Sequence, residues 1–318
     1  MSEIASRGVM KLFVVILSLA MLSSSFSFGA ALGTNTRTVI PSDVQQIISV
    51  DYRALRNSPT AMALKSKVLP DNLKEFETAL KNIGINPDSD VEQLTFASFR
   101  AKGLKIVGVA NGEFPMKKLM AKMKLKKIAG TKYRTYLIYP MNGGVQMVFI
   151  DPYTMLFGEQ KALQLGLDAR DGEIESLNSN GAINDLIPAV DSGAVWSVLD
   201  PVGTQNLMKS TLGDASSLTD YETVKKRLTG SRYTMDFNQG VNFNLDVVTS
   251  DSMTAATLSS LVKAGMLFRK MNATGTEKTA LESTTVDSDS GILKVRFKTD
   301  DSKFQALLKS DLFTAVSR

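Results

Sequence analysis

Two segments of this sequence share one pattern of apolar and polar positions. Each segment begins with an apolar, β-branched run that is typical of a buried strand, at 47–52 and at 194–200. Sequence with helical character follows in both, at 60–67 and 71–82 in the first segment, and at 202–212 and 221–228 in the second. The pattern then predicts a β-hairpin, with strands at 94–99 and 104–110 and at 233–237 and 241–248.

The remaining elements also match between the two segments. An amphipathic helix is predicted after each hairpin, at 115–126 and 252–270. A second hairpin follows, with strands at 133–139 and 145–150 in the first segment and at 280–286 and 292–297 in the second. Each segment ends on a helix, at 159–169 and 301–309. The same elements in the same order predict an internal duplication.

The fold class predicted from this order is α+β, with two similar units of antiparallel hairpins covered on one face by helices. The regular alternation of strands and helices that is typical of a parallel sheet is missing. The units are expected at 44–170 and 183–318, joined by a polar, glycine-containing linker at 171–182. Whether the units pack as one body or as two remains open.

The N-terminus has the order of a secretory signal. Basic Arg7 and Lys11 precede an apolar run at 12–22 and a stretch of small residues at 23–31. We therefore expect a signal peptide at 1–31, a flexible segment at 32–43, and a mature protein that is periplasmic or secreted. The apolar run is shorter than the roughly 20 residues that a membrane-spanning helix needs. An uncleaved N-terminal membrane anchor remains the alternative.

The missing residue types exclude several classes of function. The chain contains no His and no Cys. Ser-His-Asp and Cys-His catalysis, zinc sites built on imidazole or thiolate, iron–sulfur clusters and ordinary haem ligation all require one of these side chains. No glycine-rich phosphate loop follows a predicted strand, so we expect no nucleotide cofactor and no other cofactor. Catalysis by carboxylates or by a Ser-Lys pair remains possible.

Positive charge is concentrated on one predicted helix. The whole chain has 37 Lys and Arg against 32 Asp and Glu, a surplus too small and too dispersed to predict nucleic-acid binding. The helix at 115–126 and the residues after it carry a cluster of lysines: Lys117, Lys118, Lys122, Lys124, Lys126 and Lys127. These are the candidate contact residues for an anionic surface, such as lipid headgroups, or for an acidic envelope protein. The alternative is a helix that covers the sheet and keeps its lysines in water.

Two further candidates have simpler structural explanations. Met116, Met120 and Met123 could bind Cu(I) through their sulfur atoms, but core packing accounts for methionines at this spacing. Two acidic groups could bind calcium, one at 88–92 and one at 287–289. Neither has the glycine-centred loop of an EF-hand, and turns account for both. We therefore predict no metal site and no catalytic residue.

Three segments resemble uncharacterised exported bacterial cell-envelope proteins with a duplicated α+β unit. They are ISVDYRAL at 48–55, NSPTAM at 57–62 and MLFGE at 155–159. In these proteins too, a strand and a glycine lead into a helix late in the unit, as at 154–163 here. The resemblance implies an envelope location and a non-enzymatic role. It assigns no functional residues.

The function expected from the sequence is that of an exported, non-catalytic envelope protein with a binding or structural role. One alternative is a periplasmic carrier of an apolar ligand or lipid, which requires an apolar cavity. The other is a hydrolase that uses carboxylates or a Ser-Lys pair, which requires ionisable groups with shifted pKa values in one cleft. Membrane contact is expected only through an uncleaved signal or the basic helix. The oligomeric state remains open.

Overall fold

The computed structural model describes residues 31–68, 71–100, 103–212, 221–237, 240–273 and 275–309. Nearly all of the predicted signal peptide therefore lies outside the described residues. The strands are β1 Val44–Asp51, β2 Val91–Arg100, β3 Leu104–Gly112, β4 Thr131–Tyr133, β5 Tyr136–Pro140, β6 Gln146–Asp151, β7 Thr154–Gly158, β8 Val195–Leu199, β9 Leu228–Asp236, β10 Val241–Thr249, β11 Thr284–Asp289 and β12 Ile292–Thr299.

Helices connect these strands. They are α1 Thr34–Thr38, α2 Tyr52–Leu55, α3 Pro59–Val68, α4 Asp71–Ile83, α5 Pro87–Asp90, α6 Met116–Leu125, α7 Gln160–Arg170, α8 Gly181–Asn184, α9 Pro201–Leu212, α10 Tyr221–Lys225, α11 Ser252–Asn272, α12 Gly275–Glu282 and α13 Asp301–Leu308. Short 3₁₀ turns are added at Asn142–Gly144, Leu177–Ser179 and Ile187–Ala189. Across the described ranges, no helix has both the length and the apolar character needed to cross a bilayer.

Within the described residues, all the strands lie in one antiparallel sheet of 12 strands, which confirms the predicted α+β class. The order is β11-β12-β10-β9-β8-β1-β2-β3-β7-β6-β5-β4. Read outward from the centre, β8-β9-β10-β12-β11 follows the same scheme as β1-β2-β3-β7-β6. The two halves meet at β1 and β8, which pair antiparallel with Ile48 opposite Ser197. This shared strand order is compatible with a duplication, which itself stays a prediction.

The two central strands end in the same way. Asp51 ends β1, and its Oδ1 accepts a hydrogen bond of 2.9 Å from the backbone N–H of Ala54 in α2. Asp200 follows β8, and its Oδ1 accepts one of 2.6 Å from the backbone N–H of Gly203 in α9. A side-chain oxygen that accepts a hydrogen bond from the backbone N–H three residues later is the usual N-terminal cap of a helix. An aspartate therefore turns each central strand into a helix.

Successive side chains of the central strands contribute alternately to two hydrophobic cores, one on each face of the sheet. Val195 lies in the first core and Trp196 in the second, as side chains of successive strand residues must. The first core extends under both halves and is covered by helices that include α4, α6 and α11. The second core lies mainly under the first half, where α7 contributes three leucine and alanine side chains.

Helices were predicted to cover one face of the sheet only, and this holds for the second half of the sheet but not for the first. In β10, Val241, Leu245 and Val247 point into the first core, whereas Asn244 and Asp246 lie on the opposite face. The first half is covered on both faces, because residues before β1 and after β7 fold over the second core.

The segment at 32–43, predicted to be flexible, contains a helix and buried side chains. Residues 34–38 form α1, and Leu32, Val39 and Ile40 are buried in the second core. The predicted linker at 171–182 also contributes to this core through Leu177, and Ser176 forms a β-bridge with Pro41. Burial of the apolar side chains of these stretches against the second face of the sheet stabilises the fold.

One strand is added to the predicted hairpins, and another begins later than predicted. The predicted pair β5 and β6 is present, and β7, which was suggested only by the resemblance, pairs with both β6 and β3. Residues 280–282, predicted as part of a strand, belong to α12, and β11 begins only at Thr284. The sequence of α12, GTEKTALE, contains mainly good helix formers.

Candidate functional site

The six candidate lysines form one exposed surface. Lys117, Lys118, Lys122 and Lys124 lie on α6, and Lys126 and Lys127 lie in the turn after it. We call this set the lysine surface. All six residues are exposed, and within the described residues none of them is paired with a carboxylate at salt-bridge distance. Their positive charges are therefore available to an anionic partner.

The opposite side of α6 holds the helix on the sheet. Leu119 and Met123 are buried in the first core, and Met116 packs against it. The sulfur of Met120 accepts a hydrogen bond of 3.7 Å from the hydroxyl of Tyr139. Packing therefore accounts for these methionines, and a Cu(I) site gains no support.

Leu125 interrupts the lysine surface with an apolar side chain that is 83% exposed. It follows buried Met123 by two residues, which on an α-helix is a rotation of about 200°. The side chain therefore points away from the sheet, and lysines flank it on both sides. A single exposed leucine is common on protein surfaces, but one among six unpaired lysines gives this surface both charge and apolar character.

The end of α6 has an unusual backbone conformation. Lys127 has a φ of +55°, in the left-handed region, although a glycine usually occupies this position after a helix. The backbone N–H of Ile128 donates a hydrogen bond of 2.9 Å to the carbonyl of Met123, which closes the helix end. The conformation costs a non-glycine residue about 1–2 kcal/mol.

Lys122 also has a structural contact. Gly84 ends α4 with a φ of +98°, and a Cβ atom added there would lie 2.8 Å from the Nζ atom of Lys122. The side chain of Lys122 therefore lies across the C-terminal end of α4, where a positive charge is favourable. Its role differs in this respect from that of Lys117, Lys118 and Lys124.

A second candidate site is a cleft between α12 and α13. It has a volume of about 330 Å³, and the end of β12 forms its third side. Ala280, Phe297, Ala306 and Leu307 supply the apolar part of the lining. Thr276, Thr279 and Thr299 add hydroxyl groups, and Lys303 adds a positive charge.

The aspartate before α13 sets the geometry on one side of this cleft. Asp300 caps α13 by accepting a hydrogen bond of 2.8 Å from the backbone N–H of Lys303. A hydrogen bond from Ser302, followed by those from Lys303, holds the pKa of Asp300 well below its usual range. Lys303 also forms an ion pair of 3.1 Å with Asp300, and its side chain is 60% exposed. The charge of the cleft therefore lies on its solvent side.

Ionisable groups also meet at the end of β1. The hydroxyl of Tyr52 donates a hydrogen bond of 2.9 Å to Asp88, and Lys65 lies 2.7 Å from Glu77 and 3.7 Å from Asp88. Burial, then the charges of Glu77 and Asp88, raises the pKa of Tyr52 well above its usual range. Burial would raise the pKa of Asp88, but the hydrogen bond from Tyr52, the charge of Lys65 and the hydrogen bond and charge of Lys81 together outweigh it and lower this pKa.

These directions describe a structural ion network. A tyrosine with a raised pKa keeps its proton at neutral pH, and an aspartate with a lowered pKa stays ionised. Neither group is tuned to exchange a proton near neutral pH, as a general acid or base would be. The network therefore gives the hydrolase hypothesis no support.

The acidic groups considered for calcium are engaged within the protein. Asp90 accepts hydrogen bonds from the backbone of Asn86 and from the Ser89 hydroxyl, and Glu92 pairs with Arg53. Asp289 pairs with Lys294 at 2.8 Å. Among the residues that the structure describes, no group of three or more acidic, His or Cys side chains is placed to hold a metal ion.

The cleft was missed by sequence reasoning. Its lining comes from three elements, and one of them, α12, was predicted partly as a strand. A glycine followed by a run of helix formers at 275–282 was the available signal for that helix.

Comparison with known proteins yields structural similarity only. No protein-family model and no curated protein matches this chain. Crystal form I of TP0453 is similar over 86% of this chain and 95% of its own, with a TM-score of 0.44 and 10% identity. Crystal form III of TP0453 is similar over 86% of this chain and 96% of its own, with a TM-score of 0.47 and 9% identity. At these values the similarity carries no argument about function, which has to be argued from the residues themselves.

Proposed function

We propose that this chain is an exported, non-catalytic binding protein of the bacterial cell envelope, and that it holds a ligand with an apolar chain in the cleft between α12 and α13. The cleft carries this proposal. Its volume of about 330 Å³ falls within the range of roughly 300–1,000 Å³ that is usual for small-molecule sites. Such sites combine mainly apolar walls with a few polar groups that orient the ligand.

The lining favours an amphipathic ligand over a purely apolar one. Phe297 and Leu307 can cover an alkyl chain, and burial of each methylene group contributes about 0.8 kcal/mol. Lys303, which pairs with Asp300 at 3.1 Å and is 60% exposed, adds a positive charge at the solvent side of the cleft that an anionic end of the ligand could share. A fatty acid or a similar single-chain amphiphile has both features.

A binding experiment with a filled cleft tests this proposal. The probe is a dansylated undecanoic acid, whose fluorescence rises in an apolar site. We expect saturable binding to the unaltered protein and a loss of at least tenfold in affinity for Ala306→Trp, whose side chain would occupy the cleft. Ala256→Trp is the matched control, because Ala256 is an exposed alanine on α11 that does not line the cleft.

Equal affinity of Ala306→Trp and Ala256→Trp would contradict the proposal, since the probe would then bind elsewhere. Circular dichroism and thermal unfolding of both variants check that each is folded. Ala306 is itself exposed on the wall of the cleft, so the larger side chain extends into the open cleft and is not forced into the core.

A further inference from the structure

We propose that the lysine surface docks this protein onto a bilayer that contains anionic phospholipid, with Leu125 entering the headgroup region. This inference is independent of the ligand cleft, which lies in the other half of the sheet. It concerns a peripheral contact.

The charges favour such a contact. Six lysines lie within eleven consecutive residues, and among the described residues none is neutralised by a carboxylate. Each lysine held close to an anionic membrane strengthens binding by roughly fivefold. The ammonium groups keep their water on docking, so little of this gain is lost to desolvation.

The composition of the surface favours a bilayer over an acidic protein. Protein interfaces are enriched in Arg, Tyr and Trp and depleted in Lys. Arginine is also the residue that pairs with a carboxylate through two hydrogen bonds. The segment at 116–127, MKKLMAKMKLKK, contains lysine alone as its charged residue and no aromatic side chain. Flexible point charges suit a fluid array of phosphate groups, which needs no fixed pairing geometry.

Leu125 adds the apolar part of the contact. Its side chain is 83% exposed and points away from the sheet. On a folded protein in water this exposure brings no gain, but on a bilayer the side chain can reach the boundary between headgroups and acyl chains. The lysines on either side of it would then lie at the level of the phosphates.

Vesicle flotation of the full protein tests the proposal. One set of vesicles contains phosphatidylcholine, and the other contains phosphatidylcholine and phosphatidylglycerol in equal parts. We expect flotation with the anionic vesicles only, and weaker binding as ionic strength rises, because salt screens exposed charges.

Two triple variants identify the surface responsible. Lys117→Gln, Lys118→Gln and Lys124→Gln together should weaken partition into anionic vesicles by roughly a hundredfold. The control combines Lys161→Gln, Lys209→Gln and Lys226→Gln, three exposed lysines elsewhere, and removes the same charge. It should bind like the unaltered protein. Leu125→Ser should weaken binding several-fold at unchanged charge.

Three results would overturn the proposal. One is equal flotation with neutral and anionic vesicles. Another is equal weakening by both triple variants, which would mean that net charge alone is responsible. The third is retention on immobilised polyglutamate without flotation on anionic vesicles, which would favour an acidic protein partner. Ala306→Trp should float normally, so failure of the cleft proposal and failure of this one are distinguishable.

Discussion

At the scale of single residues, Lys127 is expected to reduce stability. Its left-handed backbone conformation costs about 1–2 kcal/mol, which a glycine would remove. A glycine also increases the conformational entropy of the unfolded chain, which lowers the stability by about 0.4–1 kcal/mol. Lys127→Gly should therefore raise the free energy of unfolding by about 0.5–1 kcal/mol, measured by urea denaturation.

Lys126→Gly is the matched control for this prediction. Lys126 is the adjacent lysine, with an ordinary φ of −81°, so the same loss of charge comes without relief of strain. Glycine at that position should lower the free energy of unfolding by up to about 1 kcal/mol. Similar losses in both variants would show that the conformation of Lys127 costs little.

The exposure of the lysines was predictable, whereas their individual contacts were not. The spacing of Leu119 and Met123 predicts which side of α6 faces the core, so the lysines had to lie elsewhere on the helix. The contact of Lys122 with Gly84 depends on how α6 and α4 pack against each other. No local pattern encodes that packing.

At the scale of elements, the cap of α11 should make stability depend on pH. Asp251 accepts hydrogen bonds from the backbone N–H of Thr254 at 2.8 Å and from its hydroxyl at 2.9 Å. These bonds, with one from Ser250, lower the pKa of Asp251 to about 2 from a usual value of 3.8. The stabilisation should be complete above about pH 4 and disappear as the pH falls towards 2, measured as the thermal midpoint.

Asp251→Asn separates this titration from the cap itself. Asparagine can cap a helix but does not ionise in this range. Between pH 4 and 2 the thermal midpoint of the variant should therefore decline less than that of the unaltered protein. An unchanged decline would show that other carboxylates account for it. At pH 7 the variant should be less stable than the unaltered protein, because it loses the ion pair of Asp251 with Arg227.

Elements with a strong hydrophobic periodicity were predicted close to their observed bounds, and elements that depend on tertiary contacts were not. The helix expected at 252–270 is observed at Ser252–Asn272. By contrast, β7 was identified only through the resemblance, because its position between β3 and β6 is a matter of pairing across the chain. A short apolar run does not reveal its partners.

At the scale of the whole molecule, the two halves should unfold together. They share the β1–β8 pairing, and the first core contains side chains from both. Trp196, the lone tryptophan, belongs to the second half by sequence but is buried in the second core, most of whose residues belong to the first half. Its fluorescence and the far-ultraviolet circular dichroism should therefore report one coincident urea transition. Two separated transitions would show that the halves are independent.

The sequence could not reveal this single body. A repeated element order predicts two similar units, but it says nothing of the edge along which they join. The folding of 32–43 over the second core was hidden for a related reason. A short segment with few apolar residues is typical of a flexible arm unless a sheet face is known to be available to it.

Native mass spectrometry of protein purified from its own envelope fraction shows whether the cleft holds a small amphiphile. We expect a native mass that exceeds the denatured mass by that of a small amphiphile, with the excess lost in Ala306→Trp and kept in Ala256→Trp. A bare native mass for the unaltered protein, or an excess that Ala306→Trp retains, would contradict this expectation.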